Sequence, residues 1–249
     1  MTIEQIQTNF NKLEHSISFH IQNLELRTTL IDFVQTNQSR LKSSPASTMT
    51  SRHHAESGGL LQHINEVIGL SCDLIQYMAS FVHRADVLQG LEDVVVASIL
   101  HDIHKIGDPF GRTYYEPNMV KASKRKDETQ MVQSTAKPYA VTENTYKCSH
   151  AQLVSPILIA TAALVDRNLE QLPEGDLSLL FVQATSPKLW SLLNDTVKFT
   201  IRHHDGAYGT SKYELAGKET AVMLAVHTAD MISSRSSRLF VTPAEVAED

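Results

Sequence analysis

The sequence predicts an all-α protein, and three observations carry that reading. Apolar residues recur at three- and four-residue steps over most of the chain, and no alternating two-residue pattern rivals them. Clusters of Gly, Pro and Ser/Thr interrupt the steps at helix-length intervals. With 42% apolar and 20% charged residues over 249 positions, the chain can bury a sizeable core.

The elements follow in order. Residues 3 to 35 form one or two amphipathic helices, because Ile3, Ile6, Phe10, Leu13, Ile17, Ile21 and Leu24 fall on one face. The stretch SSPASTMTS at 43–51 reads as a loop. Gly58 and Gly59 then precede a helix whose face is Leu60, Leu61, Ile64, Val67, Ile68 and Leu70, with His63 inside it. A further helix is expected over 91–104, with Asp93 in its first turn and Gly107 to Pro109 ending it. Residues 108–148 lack periodicity and read as a long loop, a length that is usually functional. Helical pattern returns over 150–166, where Pro156 implies a late start or a kink, and over 174–203, including 188–204. A turn-rich loop at 206–217 leads into a closing helix over 218–235.

Composition bounds the function. A net charge of -6 and a pI near 6.0 argue against long nucleic acid as the partner. The one basic run, KASKRK at 121–126, is either a solvated loop or a grip for phosphate. Cys72 and Cys148 are the two cysteines; they form no C-x-x-C motif and suggest no disulfide framework. The first residues are amphipathic rather than basic-then-apolar, and no window holds the roughly 18 apolar residues of a membrane span. The expected location is therefore cytoplasmic, without a membrane partner.

Twelve histidines are many for this length. His15, His20 and His83 stand in amphipathic segments without carboxylate or histidine partners and read as surface or core-edge residues. The remaining set is His53, His54, His63, His101, Asp102, His104, His150, His203, His204, His227 and Asp230. Imidazoles and carboxylates together suit Mn, Fe, Co, Ni or Zn. Asp102 ends an apolar run and Asp230 lies within AVMLAVHTADMI, where an uncompensated charge is costly. Taken alone, this pattern leaves two alternatives open: a metal site, or His–Asp pairs that satisfy each other.

The order of the motifs carries a resemblance. The chain holds PAS at 45–47, His53-His54, GGLLQH at 58–63, His101-Asp102 followed by Lys105, and Asp230 in LAVHTADM. This series, over roughly residues 44–238, resembles the HD-domain metal-dependent phosphohydrolase superfamily, and within it bacterial and phage proteins related to the HD domains of certain 3′–5′ exoribonucleases. The resemblance implies an HD-domain helical bundle over 44–240, with an N-terminal helical extension over 1–43 and a tail over 241–249. It implies that His63, His101, Asp102 and Asp230 hold a first divalent transition metal. It further implies that His150 in CSHAQ and His204 in RHHDG complete a two-ion site, with His203 as an alternative to His204 or its companion. His150 departs from the family pattern, since the flanking glycines are missing.

On the same resemblance Asp102 and Lys105 are the catalytic residues, Asp102 bridging two ions and Lys105 near the bound phosphate. Lys124, Arg125 and Arg202 are candidates for further phosphate contacts, and His54 is either a substrate-facing lip or a structural lead-in to the first ligand helix. His104 reads as a residue behind the ligands and His227 as a core histidine. The expected activity is hydrolysis of a phosphoester or phosphoanhydride by a metal-activated water, with a nucleotide or short oligonucleotide as the phosphorylated substrate. Two other readings share the ligand inventory: a di-iron HD-fold oxygenase, and a non-catalytic nucleotide-binding module. The apolar stripe of the N-terminal helices suits either homo-oligomerisation or covering the core.

Overall fold

The structure, a computed structural model, describes residues 1–52, 54–81, 90–107, 113–122, 130–142, 174–204 and 219–239. These residues are mainly helical, with two small strand pairs. The helical segment expected at 150–166 and the loop at 206–217 lie outside them.

The N-terminal pattern resolves into two helices, α1 (Ile3–His20) and α2 (Leu24–Thr36), followed by the short α3 (Gln38–Ser43). Thr2 and Gln5 start α1 with a reciprocal capping box, in which Thr2 Oγ1 accepts from Gln5 N and Gln5 Oε1 accepts from Thr2 N. Asn23 caps α2 by accepting from the amides of Glu25 and Leu26. The corner between α1 and α2 is tied down from a distance, because Glu92 Oε2 accepts from Gln22 N at 2.6 Å and Asn23 N at 3.1 Å. Phe10, Leu13, Ile17, Leu30 and Phe33 are buried in the same core as the later helices. The N-terminal helices thus cover the core with their apolar faces.

The core centres on α4 (Gly59–Phe81) and α5 (Leu91–Leu100). Every residue from Val94 to Leu100 is buried, so α5 is apolar around its full circumference, as a central helix must be. The expected helix over 91–104 breaks early: α5 ends at Leu100, and a 3-10 turn (Ile103–Ile106) follows, closing at Gly107. His101 still donates its amide to Ala97 O at 2.9 Å, and the break comes at Asp102, whose backbone departs from the helix while both side chains stay buried.

The described residues between 115 and 141 include four three-residue strands where the sequence reads as a loop. Strand β1 (Tyr115–Pro117) pairs antiparallel with β4 (Tyr139–Val141), and β2 (Met119–Lys121) with β3 (Met131–Gln133). Three residues are too few to register a two-residue period against background.

The C-terminal half supplies α6 (Glu174–Thr185), α7 (Pro187–Leu192), α8 (Asp195–Arg202) and α9 (Ala221–Leu239). The single segment expected over 188–204 is split because Asn194 caps α8, its Oδ1 accepting from Val197 N, while its Nδ2 donates to Asp93 Oδ1. Helix α9 packs along α4, and α8 packs on both α5 and α9. Ligand candidates from α4, the turn after α5, the end of α8 and α9 therefore meet at one place.

Candidate metal centre

The approach to α4 is built by the loop before it. Ala46 N donates to His54 O at 2.9 Å, and Leu60 N donates to Ser44 O at 3.1 Å, folding residues 44–60 back on themselves. Gly58 has φ +78, a left-handed conformation that favours glycine. A Cβ on Gly59 would stand 2.1 Å from His54 O, so no larger residue fits without moving backbone. The PAS and Gly-Gly elements and His54 thus form one local device that starts α4 and aims its first turn. His54 itself sits at φ 47, an uncommon conformation for a residue with a side chain.

His63 on α4, His101 at the end of α5 and Asp230 on α9 bring one ligand atom each within 4.8 Å of one another. His63 Nε2 is 3.2 Å from His101 Nε2 and 3.2 Å from Asp230 Oδ1. Asp102 Oδ2 lies 3.6 Å from both imidazole Nε2 atoms. The two 3.2 Å separations fall within the about 3–3.5 Å between neighbouring ligands of an ion bonded at about 2.0–2.2 Å, and those to Asp102 and the 4.0 Å between His101 Nε2 and Asp230 Oδ1 are wider. On the other side of Asp102, Oδ1 is 3.9 Å from His204 Nε2.

The hydrogen bonds behind the imidazoles fix which nitrogen faces the cluster. His101 Nδ1 donates to Ser98 O, and His204 Nδ1 donates to Ile201 O, each at 2.8 Å. A carbonyl can only accept, so both rings carry their proton on Nδ1 and present the Nε2 lone pair inward. His63 Nδ1 lies 2.9 Å from Ser233 Oγ, and the Ser233 hydroxyl donates to Glu66 Oε2 at 2.8 Å. With its one proton spent there, Ser233 accepts from His63, and the His63 Nε2 lone pair also points inward.

Three imidazole lone pairs and two carboxylates therefore converge at one buried place, where the Lys105 ammonium compensates Asp102 through Oδ2 alone. Asp102 Oδ1 is buried and has no hydrogen-bond partner among the described residues. One proton can bridge two of these atoms; a divalent ion can bond to four or more. The donor set fits a transition metal. Borderline nitrogen ligands with hard carboxylates suit Mn, Fe, Co, Ni or Zn.

Burial shapes the charges. Desolvation drives the His101 imidazole down to about 4, so it stays neutral near pH 7 despite the carboxylate of Asp102. Desolvation opposes ionisation of Asp102, but the Lys105 ammonium, 2.6 Å from Oδ2, prevails and holds the carboxyl well below the usual range.

The remaining candidates fall in different places. His203 is buried but packs its ring on Phe199, with centroids 4.5 Å apart, so His204 is the member of the pair that faces Asp102. His104 Nδ1 donates to Ser178 Oγ, and Ser178 donates to His101 O at 2.6 Å, so His104 braces the His101 backbone from behind. His227 does the same for His204, donating from Nδ1 to its carbonyl oxygen. His54 Nε2 pairs with Glu66 Oε2 at 2.9 Å, and Arg202 is exposed at the end of α8. His53, His150, Lys124 and Arg125 lie outside the described residues.

Glu66 and Ser233 escaped the sequence reading. Each stands three residues after a ligand candidate on its own helix, Glu66 after His63 and Ser233 after Asp230, and that spacing was the available signal. Burial raises the Glu66 carboxyl, but hydrogen bonds from His54, Gln62 and Ser233 overcome it and leave the group at about 2, a carboxylate at any physiological pH.

No helix among the described residues is long and apolar enough to cross a membrane. Comparisons of the chain with protein-family models, with curated proteins and with solved structures find no match.

Proposed function

We propose that the protein is a metal-dependent phosphohydrolase of the HD-domain type, cleaving a phosphoester or phosphoanhydride of a nucleotide or short oligonucleotide. The observation that carries the reading is the convergence of His63, His101, His204, Asp102 and Asp230, with Asp102 Oδ1 buried and lacking a hydrogen bond among the described residues. The ordered motif series from PAS to Asp230 supports it, because a common set of ligands recurs in that order in the superfamily the chain resembles.

His63, His101, Asp102 and Asp230 would hold one divalent ion, and His204, with His150 as its expected companion, a second. Ions bound there supply Lewis acidity toward a phosphoryl oxygen and bring a coordinated water near neutral pKa. The chain's own residues do the rest. Asp102 presents its two oxygens to different partners, Oδ2 to Lys105, His63 and His101 and Oδ1 to His204, so one carboxylate would serve both ions. Lys105 keeps a positive charge against that carboxylate, where it complements the charge of a phosphate and the charge that grows on it during cleavage. Burial of His63, His101 and Asp102 keeps bulk water away from these contacts and strengthens them. An acidic chain with a local cationic run at 121–126 suits a small phosphorylated molecule better than a long duplex.

The test is a phosphate-release screen across nucleotides with Mn, Co and Ni added separately to metal-stripped protein. Release should depend on the metal, and Asp102→Ala should abolish it while the circular dichroism spectrum stays helical. Turnover at the wild-type rate in that variant contradicts the assignment, and oxygen consumption without phosphate release points to an oxygenase.

A further inference from the structure

His63 differs from the other two imidazoles in what holds it. Carbonyl oxygens fix His101 and His204, and a carbonyl leaves no choice of tautomer. His63 is fixed by a hydroxyl, which can donate or accept. If Ser233 donated to His63 Nδ1, the ring proton would move to Nε2 and the nitrogen facing the cluster could no longer bind an ion. What sets the direction is Glu66: its Oε2 takes the Ser233 proton at 2.8 Å, and the same carboxylate is held by His54 at 2.9 Å and by Gln62 at 3.0 Å.

We propose that Glu66 and Ser233 are positioning residues that lock His63 in its metal-binding tautomer, with His54 anchoring the outer end of the relay. The inference rests on the metal reading and extends it to residues that do not themselves touch the ion. Geometry makes the relay a crossed tie between two helices. His63 and Glu66 are one turn apart on α4, Asp230 and Ser233 one turn apart on α9, and each α4 residue contacts an α9 partner. The loop device explains why His54 is available: its backbone is held against Gly59 at the start of α4, and its ring reaches Glu66 with its centroid 6.4 Å from that of His63. Partners that orient a ligand imidazole typically contribute 10–100-fold to metal affinity.

The experiment measures Co(II) affinity of full-length protein by its visible absorption, and in parallel the His63 tautomer in metal-free protein by ¹⁵N NMR. Ser233→Ala should weaken Co(II) binding by about 10–100-fold and mix the His63 tautomers. Ser233→Thr, which keeps the hydroxyl, should restore both. Glu66→Gln, which is nearly isosteric and keeps the fold within reach if Ser233→Ala does not, should also weaken binding and release the tautomer. Wild-type affinity and an unchanged Nδ1–H signal in Ser233→Ala or Glu66→Gln would overturn the proposal. Should the wild type bind no Co(II), the metal reading fails by itself, and the tautomer signal still decides this one: its persistence in both variants refutes the relay.

Discussion

Replacing Lys105 by Met is the most informative single change near the site. The Lys105 ammonium lies 2.6 Å from Asp102 Oδ2, and the two side chains are 11% and 3% exposed, so the pair is almost wholly removed from water. Taking one partner from a buried ion pair leaves the other charge uncompensated, at about 3–5 kcal/mol. For a chain of this size each kcal/mol moves Tm by about 2–4 °C, so the metal-free variant should melt about 6–20 °C lower. Met keeps the length and apolar stem of Lys, which confines the loss to charge. A divalent ion among His63, His101, Asp102 and Asp230 would compensate the carboxylate again. Adding Co(II) or Mn(II) should therefore raise Tm more in Lys105→Met than in the wild type. Differential scanning calorimetry with and without metal reads both effects. A fall of less than about 2 °C, or an equal metal-induced rise in both proteins, would refute the reasoning.

Further expectations follow from the same geometry. Because burial holds His101 at about 4 against 6.5 in the unfolded chain, the unfolded state binds the extra proton first. Its contribution to stability is complete above pH 6.5 and declines as pH falls through 4, by about 3 kcal/mol in total. Urea denaturation of the metal-free protein at pH 7 and pH 4 tests this, and equal stabilities would contradict it. Gly59→Ala sets a methyl 2.1 Å from His54 O and should destabilise the protein by about 1–3 kcal/mol in the same assay. A variant as stable as the wild type would show that the close approach is not needed.

How much of this was legible in the sequence depended on the range of the interaction. Helix faces in α1 and α4 were readable because burial imposes a helical period on many residues at once, although Ile3 and Leu24 at the ends of the N-terminal stripe are exposed. The break of the α5 helix at Asp102 was not, because 91–104 is apolar enough to continue. The short strands at 115–141 carry too few residues to show a period. Within the site, the ligand candidates came from residue chemistry and motif order, and the structure brings His63, His101, Asp102, His204 and Asp230 together. The choice of His204 over its neighbour needed the chain direction at the end of α8, where one ring turns to Asp102 and the other to Phe199. Glu66 and Ser233 resemble ordinary polar helix residues in sequence; their role exists only where α4 crosses α9.

Direct metal analysis bears most closely on the central claim. Protein stripped of metal, loaded with Co(II) and desalted should retain at least one ion per chain by inductively coupled plasma mass spectrometry. His101→Ala and Asp230→Ala should each retain markedly less while staying helical. A wild-type chain that retains no ion, or variants that retain as much as the wild type, would contradict a metal centre built from His63, His101, Asp102 and Asp230.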